Sequence, residues 1–218
     1  MEKGDDKREL LALSASEIPE GHPFADPERS RQDLQTMRHM ANQLVDTYDD
    51  PVLCDFVPGK RAVCKSDSKG RHFRIYYIQP HLLFDLKDLT VVGFFGQKRP
   101  NADVRPLIRA DKLFEKEFHN HPGLLSLSTV RLPDGDFANL VLFTDPQAKD
   151  NWNYSELHYR IVSKISPPYY RSIRLNNGLL PAGLNAPDDL RLTRVKYMDF
   201  DTSPPWLAVR ELEAGHSS

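Results

Sequence analysis

The feature that most constrains this chain is a pair of neighbouring strands whose side chains are apolar in both directions. Leu124–Arg131 (LLSLSTVR) and residues 137–144 (FANLVLFT) flank the turn Leu132-Pro133-Asp134-Gly135-Asp136. Asp-Gly tolerates the positive φ values that a tight hairpin turn demands. Successive side chains of a strand point to opposite faces. Val141 and Phe143 therefore share one face, while Ala138, Leu140 and Leu142 share the other; Leu125 and Leu127 are expected to oppose Leu124 and Val130. A sheet wetted on one side would alternate apolar with polar residues. This one must be covered on both.

Around the hairpin the elements follow a definite order. Residues 90–97 (TVVGFFGQ) read as a strand. Pro106 opens a helix with Leu107, Ala110, Phe114 and Phe118 on one side, ended by Asn120, His121, Pro122 and Gly123. After the hairpin, Asp145-Pro146 caps a second helical segment that continues through residues 155–165, with Leu157, Ile161 and Ile165 in register. Ser166-Pro167-Pro168 stops it, and residues 169–175 (YYRSIRL) form a fourth strand before Asn176-Asn177-Gly178. Strand, helix, strand, strand, helix, strand is the split βαβ pattern, with both helices on one face. The expected class is α+β, with a ferredoxin-like βαββαβ unit over residues 89–178.

The opposite face needs cover from elsewhere. Asp26-Pro27 starts a helix that places Leu34, Met37, Ala41, Leu44 and Tyr48 on one side, and residues 61–65 and 72–78 read as a hairpin. Residues 26–88 are thus an extension of helix and hairpin, with an irregular link at 82–89. Residues 1–25 read as a disordered arm, 179–211 as a C-terminal strand (Leu192, Val195, Tyr197) and closing arm, and 212–218 as a disordered tail. Covering the whole sheet would use nearly all the apolar surface of the extension, whereas one self-complementary surface serves both subunits of a two-fold dimer. A homodimer through the face of Val141 or of Leu140 is the expectation.

Charge narrows the partners. Lys and Arg number 29 against 31 Asp and Glu, a net charge of -2. Without a basic cluster there is no footprint for nucleic acid. No apolar run is long enough to span a bilayer, so no membrane partner is expected. The start, Met-Glu-Lys-Gly-Asp-Asp-Lys-Arg, is too charged for a signal peptide, and two lone cysteines, Cys54 and Cys64, suit a reducing compartment. A cytoplasmic location is expected.

Chemistry-bearing residues are few. Gly-rich phosphate loops, CxxC, HExxH and GxSxG are absent. His158 borders the apolar stripe of its helix, where it is either a general base near neutrality or a half-buried residue bonded to backbone. His119 and His121 sit at a helix end, where capping outweighs metal binding, and no metal is expected. In the strand from Tyr169 onward, Tyr169 and Arg171 share one face and Tyr170, Ser172 and Arg174 the other. An inward Arg would need an anionic partner, a substrate or an Asp. Asn139 lies among apolar neighbours, and a buried amide must be hydrogen-bonded. Trp152 and Tyr154 sit where the second helix breaks. Gly93 and Gly96 mark a bulge or close packing.

The run His121-Pro122-Gly123-Leu124-Leu125-Ser126-Leu127-Ser128, followed by Phe143, Asp145, Trp152, Ser155 and His158, resembles the dimeric α/β-barrel superfamily, and more narrowly its antibiotic-biosynthesis monooxygenase type. The resemblance covers residues 89–178, under half the chain. It implies a homodimer whose sheets close around pockets for a small hydrophobic substrate. Haem-degrading members carry an axial His about seven residues after the Ser; counting from Ser155 reaches Val162, so that position is not matched. The implied function is an enzyme acting without cofactor on an aromatic or polyketide-like compound, by oxygenation or dehydration. His158 would abstract a proton, Tyr169 and Arg171 would stabilise the anion, and Asn139, Trp152, Tyr154, Tyr170 and Arg174 would contact substrate. Two alternatives stand beside it: a haem protein with His158 or His121 as axial ligand, and a non-catalytic binding or assembly protein.

Overall fold

The computed structural model describes residues 10–48 and 62–212. Nine strands form one open sheet: β1 (Leu11–Ala12), β2 (Val63–Ser66), β3 (His72–Tyr77), β4 (Leu89–Lys98), β5 (Leu124–Arg131), β6 (Phe137–Phe143), β7 (Tyr170–Leu180), β8 (Arg191–Asp199) and β9 (Trp206–Glu211). Their spatial order is β1-β9-β8-β7-β4-β6-β5-β3-β2. Every neighbouring pair is antiparallel except β1 with β9. Among the described residues six α-helices accompany it: α1 (Pro27–Tyr48), α2 (Pro80–Asp85), α3 (Arg105–Glu117), α4 (Pro146–Asn153), α5 (Glu156–Arg160) and α6 (Ser166–Tyr169).

One face of the sheet is closed by α1. Met37, Met40, Ala41 and Leu44 form a single core with Val91, Leu140, Leu142, Ile75 and Val195. Gly93 faces α1 as well, and a Cβ there would run into the Met37 side chain, so helix and strand approach closely because glycine leaves room. On the opposite face Val141, Phe143, Tyr76 and Leu124 pack with Phe118 and Trp152. The mixed α+β class stands, but the ground for a dimer through the sheet does not. Leu140 and Leu142 are fully buried under the chain's own helix, so no second copy is needed to cover that face.

Several local expectations are corrected. The hairpin of β2 and β3 does not lie over the sheet; it extends it, Ile75 pairing with Ser128 of β5. A bulge between Leu124 and Ser126 shifts the register of β5, so Leu125 joins the α1 side and Leu127 the other. The link after β3 contains α2, with Pro80 in its first turn and Leu83 buried. Residues 10–25 are anchored rather than disordered: β1 pairs with β9, and the fully buried Arg210 donates to the carbonyls of Ser14 and Ala25, each at 3.0 Å, and of Glu17. Residues 1–9 and 213–218 lie outside the described residues.

The second helical stretch is not continuous. Asp145 caps α4 by accepting from the Ala148 N–H at 2.8 Å. Ser155 then starts α5, its Oγ accepting from the His158 N–H at 3.3 Å. A π-helical turn, Ile161–Ile165, follows, and Ser166 Oγ donates to the Ile161 carbonyl at 3.2 Å. Pro167 and Pro168 do not stop the chain; they occupy the first turn of α6, where a missing N–H is tolerated. This broken path delivers Tyr169 and Tyr170 to the sheet.

Candidate functional site

Between α3 and the sheet lies an open cleft of about 610 Å³. Its floor comes from β2, β3, β5 and β6, including Arg74, Leu127, Thr129 and Asn139. Leu107, Ile108 and Phe114 of α3 form one wall, and Tyr169 with Tyr170 closes an end. The lining is mainly apolar with a few polar groups, the usual make-up of a small-molecule site.

Two polar ties hold α3 over the floor. Arg74 Nη2 donates to Asp111 Oδ2 at 2.7 Å, and the Tyr76 hydroxyl donates to Glu115. Burial, with that bond to Glu115, pushes the Tyr76 phenol well above its ordinary value.

The tyrosine pair is the most distinctive element. The rings meet edge to face at 4.7 Å, and Phe94 flanks Tyr170 at 5.2 Å. Both residues are almost buried, 6% and 7% exposed, but their hydroxyl oxygens stay accessible at the cleft and have no hydrogen-bond partner among the described residues. Burial pushes both phenols upward, Asp136 adding to the effect on Tyr169 and Tyr169 to that on Tyr170. They are proton donors at neutral pH. Gly96 makes their placement possible: a Cβ there would strike the Tyr170 ring. Asn139, paired across the sheet with Thr129 and Phe94, likewise presents a side-chain amide without a partner in the described chain.

Of the residues singled out in the sequence, Asn139, Tyr169 and Tyr170 come together in the cleft. The others lie elsewhere. His158 is not on the cleft wall; its Nδ1 lies 3.3 Å from the Asn153 carbonyl, its ring lies beside the Phe114–Trp152 pair, and burial lowers its pKa. Trp152 is packed in the core with Phe118, and Tyr154 is 85% exposed. Arg171 pairs with Asp201 at 3.1 Å near the surface. Arg174 is on the α1 side, held by both oxygens of Asp33 at 2.7 and 2.8 Å. His121 stands edge-on to Trp152 at 4.7 Å. Neither His121 nor His158 can serve as axial ligand to a haem in this cleft, where His72 is the lining imidazole and bonds Ser66 Oγ through Nδ1 at 2.7 Å. Among the described residues no three His, Cys, Asp or Glu side chains converge on a metal-sized site.

Sequence reasoning missed Arg74, Asp111, Thr129 and Arg131. The available signal was Arg74 inside an aromatic strand and Arg131 closing an apolar one.

No family model and no curated protein matches this chain. Solved structures match about half of it. A protein from Shewanella oneidensis is 12% identical over 50% of this chain and 98% of its own, with a TM-score of 0.39. A haem-degrading enzyme from Listeria monocytogenes is 11% identical over 51% and 76%, TM-score 0.33. A monooxygenase-like protein from Listeria innocua is 13% identical over 57% and 76%, TM-score 0.31.

Proposed function

We propose that this chain is a small-molecule enzyme whose reaction chamber is the cleft that the ferredoxin-like unit, residues 89–178, forms together with β2 and β3 under α3. The substrate is a flat, largely apolar compound bearing at least one oxygen function, of aromatic or polyketide-like size. One observation carries the reading: two tyrosines whose rings are nearly buried turn accessible, unpartnered hydroxyls into the same cleft as the Asn139 amide, which also has no partner among the described residues. A substrate oxygen would satisfy donors that the fold leaves open. Because burial keeps the phenols protonated, they would stabilise an enolate or phenolate as donors rather than compete for its proton. That anion would then either attack dioxygen, which is the oxidant, or expel a β-hydroxyl that leaves as water with the proton taken by the base. His72, with Nδ1 engaged by Ser66, is the cleft-lining imidazole that could accept the proton.

Ligand-observed NMR with hydroxylated naphthoquinones tests the site. Wild-type protein is expected to bind at least one of them. Each neutral hydrogen bond contributes about 0.5–1.5 kcal/mol, so Tyr170→Phe and Asn139→Ala should each weaken binding about two- to twelvefold. Unchanged binding in both variants would place the ligand elsewhere and overturn the reading.

A further inference from the structure

We infer that the substrate carries a carboxylate or equivalent anionic group, seated on Arg131; this rests on the cleft being the binding site. Arg131 ends β5 at the mouth of the cleft and also lines an adjoining cavity of about 330 Å³ with Lys98 and Arg99. The cations around it differ in their commitments. Arg99 donates to the Pro167 and Phe200 carbonyls and pairs with Asp201. Lys98 Nζ donates to the Gly135 carbonyl at 2.9 Å, and its backbone N–H donates to Asp136 Oδ1 at 3.1 Å. Arg74 is matched by Asp111. The Arg131 side chain, exposed at the end of β5, has no ion pair and no hydrogen bond among the described residues, although it is drawn beside Lys98 where both approach Gly135.

The charge balance inside the cleft points the same way. Lys65, Arg74 and Arg131 line it against one carboxylate, Asp111, and that one is already bonded. The chain as a whole carries a net charge of -2, so the excess of cations is local. A guanidinium offers a planar fork of donors that fits a carboxylate with two bonds. Phe137 and Tyr169 line both cavities beside Arg131. A ring lying against them would keep its acidic group at the mouth and its other oxygens toward Asn139 and Tyr170.

Titration calorimetry on the full chain with 2-naphthoate and its uncharged counterpart 2-naphthalenemethanol tests the assignment. The carboxylate should bind about tenfold tighter or better at low salt, the advantage should shrink as salt rises, and Arg131→Met should bring its affinity down to that of the alcohol. Equal binding of the two probes to wild-type protein overturns the anionic assignment and leaves the cleft intact. So does an Arg131→Met variant that weakens both alike. If neither probe binds, the cleft reading itself fails, and this inference with it.

Discussion

At the scale of single residues, the two arginines of β7 show what a sequence reveals about charge. An Arg in a sheet with apolar faces needs an anion, and Arg174 has one. The anion is Asp33, 141 positions away on α1, and the Asn176 amide bonds the same carboxylate at 2.9 Å. Nothing in the local pattern of β7 identifies that partner, so the need was legible and its fulfilment was not. Asp33→Ala should cost up to about 3–5 kcal/mol in urea unfolding, because it strands a guanidinium whose side chain is only 16% exposed. Asp33→Leu combined with Arg174→Met should recover much of that loss. A single-variant cost below about 1 kcal/mol would mean that water reaches the pair. Gly93 and Gly96 are the opposite case, since two glycines in one strand pointed to a bulge or close packing, and close packing is what both show. They serve different faces, the first admitting Met37 and the second Tyr170. Gly96→Ala should therefore cost about 1–3 kcal/mol by overpacking and should weaken ligand binding in the cleft, whereas Gly93→Ala should affect stability alone. Equal effects of both on binding would show that Tyr170 does not depend on Gly96.

Among the elements, α1 was legible as an amphipathic helix: of its expected face Met37, Ala41 and Leu44 are buried, whereas Leu34 is half-buried and Tyr48 exposed. Its destination was not, because periodicity says which side is covered and not by what. Part of the answer is polar. Asp67, in the turn between β2 and β3, lies 3.0 Å from His39 Nε2 of α1 and accepts from the Arg71 guanidinium at 2.7 Å. The His39 Nε2 also lies 2.6 Å from Arg71 Nη2, so it accepts from Arg71 in one tautomer or donates to Asp67 in the other. Burial alone would raise the Asp67 pKa; bonds from the Arg71 N–H and guanidinium, the Lys69 N–H and His39 outweigh it and hold the carboxyl at about 2, against an ordinary 3.8. A carboxylate whose pKa is lower in the folded state stabilises the fold above its unfolded value and loses that contribution as pH falls toward the folded one. Wild type should melt a few degrees above Asp67→Asn at pH 5, and the gap should close by about pH 2. A gap that persists in acid would assign the effect to packing. The second helical stretch was the least legible element. A break near Trp152 and Tyr154 was expected, but the N-cap at Ser155 and the π turn before Ser166 depend on side-chain hydrogen bonds that the apolar spacing does not encode.

For the whole molecule, the residues determined that both sheet faces are covered but left open which body does the covering. Two copies closing a barrel would have to meet through the face opposite α3, where α1 already lies. Val91, Ile75, Leu140 and Leu142 are fully buried there. Each such side chain contributes roughly 1.5–3 kcal/mol on burial. Displacing α1 would expose these residues together with Met37, Met40 and Leu44 before a partner could cover them, so association through this face offers no net gain in buried apolar area. The sheet edges give little to pair with either: β1 has two residues and β2 four. Light scattering at micromolar concentration should therefore return a single species near 25.0 kDa. Twice that mass would require a contact away from the sheet. The outer side of α5 and its π turn, where Tyr159 and Val162 are exposed, is where it would be sought, and Tyr159→Glu should then restore the single chain. A dimer that survives this change but dissociates when the α1 face is altered by Met40→Glu in an otherwise folded protein would show that α1 does leave the sheet.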